Sequence, residues 1–135
     1  MRKCGRQCHV CPYIKEEKEI QCGEVKWKLN KPLNCNDKNV IYMIECSKCH
    51  SKYIGETERE LKDRISDHKT YIRSKKLNQP VGEHFNLPGH SIDNLKVIIL
   101  EKVKVNNEQY RKEREKYLIR KFDTYYNGMN KNQGG

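Results

Sequence analysis

Residues 40–57 read VIYMIECSKCHSKYIGET, and this stretch decides the fold. Residues 40–44 form a short run of apolar, β-branched and aromatic side chains, which predicts a buried β-strand. Residues 46–51 can form a turn that leads into a second strand at residues 52–55. The stretch therefore predicts a β-hairpin.

The residues after the hairpin predict a helix with one buried face. Residues 57–60, TERE, match a capping box, so we expect the helix to begin at Thr57 and to extend to about residue 75. Leu61, Ile65, His68 and Ile72 recur at helical spacing and should face inward.

Three further elements complete the predicted fold: a helical turn at residues 81–85, a strand at 95–103 and a helix at 107–122. The residues expected to face inward on the last helix are Tyr110, Tyr117, Leu118 and Phe122. We therefore expect an α/β fold, in which helices flank a small, mainly antiparallel three-stranded sheet.

We expect three regions along the chain. Residues 39–131 would form the α/β domain, and residues 132–135 a disordered tail. Residues 1–38 would form a cysteine-rich extension with few apolar side chains, so this part needs bound metal to become ordered.

Charge and hydropathy limit the classes of partner. The chain has 28 Lys and Arg against 18 Asp and Glu, and this excess of positive charge favours nucleic acid. Basic side chains on both predicted helices should contact phosphates with a salt-sensitive affinity. No apolar run approaches the roughly 18 residues needed to span a bilayer, so we expect a soluble, intracellular protein without a membrane partner.

The seven cysteines are more consistent with zinc-bound thiolates than with disulfides, because their number is odd and several have metal-ligand spacing. Cys46 and Cys49, two residues apart in the hairpin turn, match a zinc knuckle. His84 and His90 can complete a closed, structural zinc site. In an alternative, these are ordinary loop histidines and His50 is a ligand instead.

A second cluster has the pattern Cys4-x3-Cys8-x2-Cys11, which lacks a fourth ligand nearby. Either Cys35 or Cys22 could supply it. We favour Cys35, because it precedes the first strand of the domain and would dock the extension against it. The alternative to this second zinc site is a reduced, mobile N-terminal segment.

Several polar residues are placed to form one site. Tyr42 and Tyr53 lie on adjacent predicted strands, so both hydroxyls can open onto one face of the sheet. Arg64 and His68 are four residues apart and share a helix face. Glu115 lies on the last helix. Asn130 follows the end of that helix.

In this order and spacing, the residues resemble the motifs of the GIY-YIG nuclease family over about residues 39–130. The matching segments are Val40-Ile41-Tyr42, Tyr53-Ile54-Gly55, Leu61-x2-Arg64-x3-His68, Glu115-x2-Leu118-Ile119 and Gly128-Met129-Asn130. Val40 departs from the family pattern, which has Gly there, but the tyrosine carries the chemistry of that motif.

The resemblance implies a metal-dependent DNA endonuclease. It implies that Glu115 holds one Mg²⁺ or Mn²⁺ ion, that Tyr42 helps to activate a water as general base, and that Arg64 contacts the scissile phosphate. Tyr53 and His68 would support this geometry and proton transfer. Asn130 would fix the lower edge of the site by hydrogen bonding.

Within the family, the chain most resembles the endonuclease domain of Penelope-like retroelements. Cys46 and Cys49 lie between the two tyrosine motifs, and PVGEHFNLPGH follows the first helix at residues 80–90. This resemblance implies a nuclear protein that nicks target DNA to prime reverse transcription. It also implies that the chain is part of a longer protein, with a reverse transcriptase domain of the same polyprotein and its RNA as partners.

Two other functions stay open at this point. The first is a zinc-stabilised basic module that binds nucleic acid without cutting it, and only a nuclease requires Glu115 and Tyr42. The second is a repair nuclease that recognises branched DNA.

Overall fold

The computed structural model describes residues 1–5, 8–29, 32–104 and 106–132. Its strands and helices are, in chain order, β1 (Glu19–Cys22), β2 (Val25–Lys28), β3 (Val40–Cys46), β4 (Lys52–Thr57), α1 (Leu61–Arg73), α2 (Pro80–His84), β5 (Leu95–Lys102) and α3 (Glu108–Phe122). Short 3-10 helices occur at Cys11–Tyr13 and Ile92–Asn94.

The core is a three-stranded antiparallel sheet in the order β4-β3-β5. Strand β3 is central, which explains why residues 40–44 are nearly all apolar and all buried. Tyr42 lies opposite Gly55, and Ile44 lies opposite Tyr53. The predicted hairpin, third strand and α/β class are confirmed, and β4 is longer than expected because it continues to Thr57.

Helix α1 begins at Leu61, so the expected start at Thr57 was wrong. The Thr57 hydroxyl instead accepts a hydrogen bond from the backbone amide of Arg59 at the end of β4. The first amides of the helix donate to backbone carbonyls of the N-terminal segment, from Leu61 to Asp37 over 3.0 Å and from Lys62 to Cys35 over 2.9 Å. A tertiary contact therefore replaces the predicted side-chain cap.

The inward face of α1 is as expected, whereas that of α3 is not. Leu61, Ile65, His68 and Ile72 are all buried on α1. On α3, the expectation that Tyr110 and Tyr117 face inward was wrong, because they are 46% and 45% exposed. The buried residues of α3 are Arg111, Leu118, Ile119 and Phe122.

The N-terminal segment contains structure that the sequence did not predict. Strands β1 and β2 form an antiparallel hairpin, and Ile20 of β1 is buried. The Trp27 indole of β2 donates a 2.7 Å hydrogen bond to the Leu100 carbonyl of β5 and packs edge-on against Phe122. Trp27 thereby fastens the hairpin to the sheet and to α3.

The tail expected at residues 132–135 lies mostly outside the described residues, which end at 132. Among the described residues, no helix is long and apolar enough to cross a membrane.

Candidate active site

A hydrogen-bonded pair of Tyr42 and His68 lies at the centre of the site. The Tyr42 hydroxyl oxygen is 2.7 Å from His68 Nε2, because α1 packs its buried face onto β3. Burial, together with the positive charge of Arg64, lowers the pKa of His68 to about 3. His68 is therefore neutral at neutral pH, and its Nε2 can accept a hydrogen bond from the Tyr42 hydroxyl.

Tyr53 lies beside this pair. It shares a face of the sheet with Tyr42, since residues 42 and 44 of β3 point the same way and Tyr53 is opposite residue 44. The Tyr53 ring centroid is 6.5 Å from that of Tyr42 and 5.6 Å from that of His68. Burial raises the pKa of both phenols, so neither is ionised in advance.

Arg64 lies one turn before His68 on α1. Its Nη1 atom is 3.5 Å from the Tyr71 hydroxyl and 3.4 Å from a carboxylate oxygen of Asp67. Tyr71 also packs edge-on against His68, with ring centroids 5.8 Å apart. The sequence reasoning missed Tyr71, although its spacing of seven residues from Arg64 and three from His68 places it on the same face of α1.

Glu115 of α3 reaches the same site. Burial and the negative charge of Glu56 raise its pKa to about 7, against an attraction from Arg64. The Glu115 carboxylate in turn raises the pKa of Tyr42 and Tyr53. The two phenols, the guanidinium and the carboxylate thus interact electrostatically around one region, as the resemblance implies.

A second ion pair supports this region. Buried Arg111 of α3 donates from Nε to the Glu56 carboxylate of β4, and its Nη1 donates to Asn39 Oδ1 over 3.3 Å. The pair fixes α3, and with it Glu115, against β4. Sequence reasoning could not find it, because the partners are separated by 55 residues.

Asn130 joins the segment after α3 to strand β4. Its Oδ1 accepts from the Ile54 amide, and its Nδ2 donates to the Ile54 carbonyl, both over 2.9 Å. Its neighbour Gly128 allows this close approach, since an added Cβ would lie 2.5 Å from the Lys52 carbonyl oxygen. Asn130 therefore holds the strand that presents Tyr53.

The predicted zinc ligands Cys46, Cys49, His84 and His90 come together, with ligand atoms within 4.8 Å of one another. The His90 Nδ1 is 3.3 Å from the Pro88 carbonyl, which can only accept, so this nitrogen carries the proton. His90 Nε2 is left with a lone pair, buried and without a partner in the described part of the chain. This donor set fits a tetrahedral metal ion.

Cys4, Cys8, Cys11 and Cys35 form the second cluster. The Sγ atoms of Cys11 and Cys4 are 3.4 Å apart, those of Cys8 and Cys35 3.6 Å, and those of Cys11 and Cys35 3.8 Å. Four thiolates on zinc at about 2.3 Å would lie about 3.8 Å apart, so the spacing fits. Neither cluster includes Cys22 or His50.

The sequence had suggested that the basic side chains of both helices bind phosphate. Several of them are not free to do so. Lys69 is buried, and its ammonium group donates to the His9 carbonyl over 3.1 Å. Arg111 is bound to Glu56, and Arg114 to Glu101. The remaining exposed lysines and arginines of α1 and α3 are the ones positioned to meet a phosphate backbone.

Comparisons with known proteins identify the family and the fold. The model of the GIY-YIG catalytic domain matches residues 38–130. The catalytic domain of the homing endonuclease I-TevI is similar in structure, with a TM-score of 0.52 and 23% identity over 69% of this chain and 97% of that one. A mutant of the catalytic domain of intron endonuclease I-TevI has a TM-score of 0.63 and 20% identity, over 73% of this chain and 98% of that one.

A search of curated proteins finds no match. At these identities the two solved structures establish the fold alone, whereas the family match covers 93 residues, from 38 to 130, of 135. The matched range contains Tyr42, Tyr53, Arg64 and Glu115. The chain therefore belongs to the GIY-YIG family and is a GIY-YIG family DNA endonuclease.

Proposed function

We propose that Tyr42, Tyr53, Arg64, His68, Glu115 and Asn130 form the site at which this endonuclease hydrolyses a DNA phosphodiester bond. The observation that carries the proposal is the 2.7 Å contact between the Tyr42 hydroxyl and a neutral imidazole, beside a guanidinium and a carboxylate. Hydrolysis needs an activated water, a group that balances charge on the phosphate and a stabilised leaving oxygen.

Tyr42 and His68 would remove the proton of the attacking water. Since burial raises the pKa of Tyr42, the phenol does not act as a preformed phenolate. It passes its own proton to His68 Nε2 while its oxygen takes the proton of the water. The water oxygen bonds to phosphorus as the bond to the leaving oxygen breaks, the leaving oxygen takes a proton from solvent, and the imidazolium of His68 returns its proton to solvent.

Arg64 would bind the scissile phosphate, because a guanidinium stays charged and forms paired hydrogen bonds with phosphate oxygens. Glu115 would hold one Mg²⁺ or Mn²⁺ ion. The site fits such an ion, since Glu115 is repelled by Glu56 and its ionised form gains from a bound cation. The ion supplies Lewis-acid stabilisation of phosphate charge when bound. Tyr53 orients the pair, and Asn130 positions Tyr53.

The decisive experiment is nicking of supercoiled plasmid with added Mg²⁺ by the wild type, Tyr42→Phe and Glu115→Ala. Loss of a group that transfers a proton costs about 10²–10⁴ in rate, so Tyr42→Phe should leave the plasmid largely supercoiled. Glu115→Ala should do the same, because it removes the carboxylate that would hold the metal ion. Tyr126→Phe changes an exposed phenol outside the site and should cut like the wild type.

Two results would contradict the proposal. If all proteins bind the plasmid and none cuts it, the chain is a zinc-stabilised binding module. If Tyr42→Phe and Glu115→Ala cut as fast as the wild type, the hydrolytic site lies elsewhere. Comparing linear, flap and junction DNA tests the repair alternative, which requires faster cutting of the branched substrates.

We also propose structural zinc at both clusters. The unpartnered His90 Nε2 supports the site of Cys46, Cys49, His84 and His90, which would join the β3–β4 turn to the segment after α2. The sulfur spacing supports the site of Cys4, Cys8, Cys11 and Cys35. Residues 39–131 would then be the endonuclease domain, and residues 1–38 a zinc-stabilised extension.

The biological role we propose is that of the nuclear endonuclease part of a Penelope-like retroelement protein. The support is the sequence resemblance, namely the cysteine pair between the tyrosine motifs and the His84–His90 segment. The nick would supply a 3′ end to a reverse transcriptase domain of the same polyprotein, which copies its RNA. Extension of the nicked plasmid by a DNA polymerase tests this role, because a 3′-phosphate end would block extension.

A further inference from the structure

One face of α3 carries a line of alternating aromatic and basic side chains, which we call the α3 stripe: Tyr110, Arg114, Tyr117 and Lys121. At 3.6 residues per turn, these positions fall within about 60° of one another and extend for about 16 Å along the helix. The site described above does not use this face, since Glu115 lies roughly 100–160° around the helix from each member.

The stripe combines exposed rings with positive charge. Tyr110 and Tyr117 are nearly half exposed. The Arg114 guanidinium lies 4.7 Å from the centre of the Tyr117 ring, and the Lys121 ammonium lies 5.9 Å from it. Lys121 is also 6.0 Å from the Trp27 ring of β2, so the stripe continues towards the N-terminal hairpin.

Two hollows lie along the end of β5, and Tyr110 and Arg114 of the stripe line the second of them. One, of about 420 Å³, is lined by Trp27, Lys28, Leu29, Leu33, Leu100, Glu101, Lys102 and Lys104. The other, of about 720 Å³, is lined by Glu101, Lys102, Val103, Lys104, Asn107, Tyr110 and Arg114. Since they share residues 101, 102 and 104, the hollows follow one another along the surface.

The charge of this surface favours an anionic occupant. Glu101 is the only acidic residue among the described residues that line the two hollows, and Arg114 neutralises it through two hydrogen bonds of 2.7 and 2.6 Å. Lys28 and Lys104 add positive charge, and neither forms an ion pair with another residue in the described part of the chain. Lys102 is paired with Asp37 at 2.8 Å.

We propose that the α3 stripe and its hollows bind single-stranded DNA. Exposed aromatic rings can stack on the faces of unpaired bases, which a duplex keeps inside its own stack. Lys121, Lys28 and Lys104 supply the positive charge that follows the phosphates, since Arg114 is engaged by Glu101. DNA is the occupant to expect, since the same chain acts on DNA and any unpaired strand beside the cut is held at high local concentration. The strand lies on a different face of α3 from the one that presents Glu115.

The test is binding of the full chain to fluorescently labelled dT12 and to a 12-base-pair duplex, measured by anisotropy without added Mg²⁺. Loss of one base-stacking ring weakens single-strand binding by about tenfold, so Tyr117→Ala and Tyr110→Ala should each do so. Tyr117→Phe keeps the ring and should bind dT12 like the wild type. Tyr126→Ala, an exposed tyrosine outside the stripe, is the matched control and should leave binding unchanged.

Three outcomes would overturn the proposal. If both alanine variants bind dT12 as tightly as the wild type does, the stripe is not part of the interface. If the alanine variants lose as much affinity for the duplex as for dT12, the binding is general and electrostatic rather than stacking. The same holds if Tyr126→Ala loses as much affinity for dT12. Tighter binding of rU12 than of dT12, with the same loss in Tyr117→Ala, assigns the surface to RNA. Since no divalent ion is added, these results do not depend on whether Tyr42 and Glu115 perform the cleavage.

Discussion

Gly55 is required by the ring of Tyr42, which lies across the paired strands. A Cβ at Gly55 would lie 2.6 Å from Tyr42 Cζ, closer still to its hydroxyl, and 3.0 Å from the Tyr53 ring. Gly55→Ala should therefore lower the free energy of unfolding by about 1–3 kcal/mol and displace both phenols. Urea unfolding and plasmid nicking measure the two effects.

The double variant Gly55→Ala with Tyr42→Phe is the control for this clash. Removing the hydroxyl relieves the closest contact, so the double variant should recover part of the lost stability. If the stability losses of the two single variants simply add, the destabilisation by Gly55→Ala does not arise from its contact with Tyr42.

Glu115 is placed for function at a cost in stability. Its pKa of about 7 is above the ordinary 4.5, so the folded state binds more protons than the unfolded state between these pH values. Its contribution to stability is therefore full below pH 4.5 and is lost as pH rises to 7. Glu115→Gln should be more stable than the wild type at pH 8 by about 1–3 kcal/mol, with little difference at pH 4.5.

Urea unfolding of both proteins at several pH values, without added divalent metal, checks this prediction. Subtracting the two curves removes the shared titration of other groups. If the difference in the free energy of unfolding between the two proteins is the same at every pH, the prediction is wrong. The same variant should fail to nick plasmid, because an amide binds a metal ion poorly compared with a carboxylate.

At the scale of elements, the start of α1 depends on the N-terminal segment. The Asp37 and Cys35 carbonyls accept hydrogen bonds from its first amides, and Cys35 also belongs to the second thiol cluster. Metal bound at this cluster would therefore fix the start of the helix that carries Arg64 and His68.

Cys35→Ser and Cys22→Ser make a matched pair that tests this coupling. The wild type should contain two equivalents of zinc, measured by elemental analysis or a chromogenic chelator. Cys35→Ser should lose one equivalent and unfold at lower denaturant concentration, since a structural zinc site contributes directly to folding. Cys22→Ser should keep both, because Cys22 belongs to neither cluster. Equal zinc content in all three proteins would contradict the site.

At the scale of the whole molecule, the N-terminal segment shares the core of the catalytic domain. Val10, Ile14 and Ile20 are buried in the same hydrophobic cluster as the sheet. Trp27 bonds to β5, and the Lys15 ammonium forms a 2.7 Å ion pair with Glu45 of β3. The segment therefore acts as a structural part of the domain and lies along the β5 edge of its sheet.

A protein of residues 39–132 should therefore be much less stable than the full chain, although it keeps every proposed catalytic residue. We expect a broad, weakly cooperative urea transition and dye-binding apolar surface, because the buried side chains of residues 1–38 are missing. Adding Zn²⁺ should not restore a cooperative transition. Cooperative unfolding at the wild-type midpoint would show instead that residues 39–132 fold independently.

Local sequence patterns predicted much of this fold. The apolar run at residues 40–44 and the alternation at 95–99 predicted strands β3 and β5, since a strand buried on both faces needs such residues. The ligand-like spacing of the cysteines predicted which thiols come together. The resemblance predicted Tyr42, Tyr53, Arg64, His68, Glu115 and Asn130 as site residues, because their order along the chain is a property of the sequence itself.

Other features depended on contacts between distant residues. The start of α1, the exposure of Tyr110 and Tyr117, and the pair of Arg111 and Glu56 are decided by which elements pack together, and propensity does not contain that information. The sequence by itself determined the three strands of the central sheet, its helices and the order of the family motifs along the chain. Only the tertiary structure decided the raised pKa of Glu115 and the neutral state of His68, because desolvation and charge interactions depend on distance in space rather than on position along the chain.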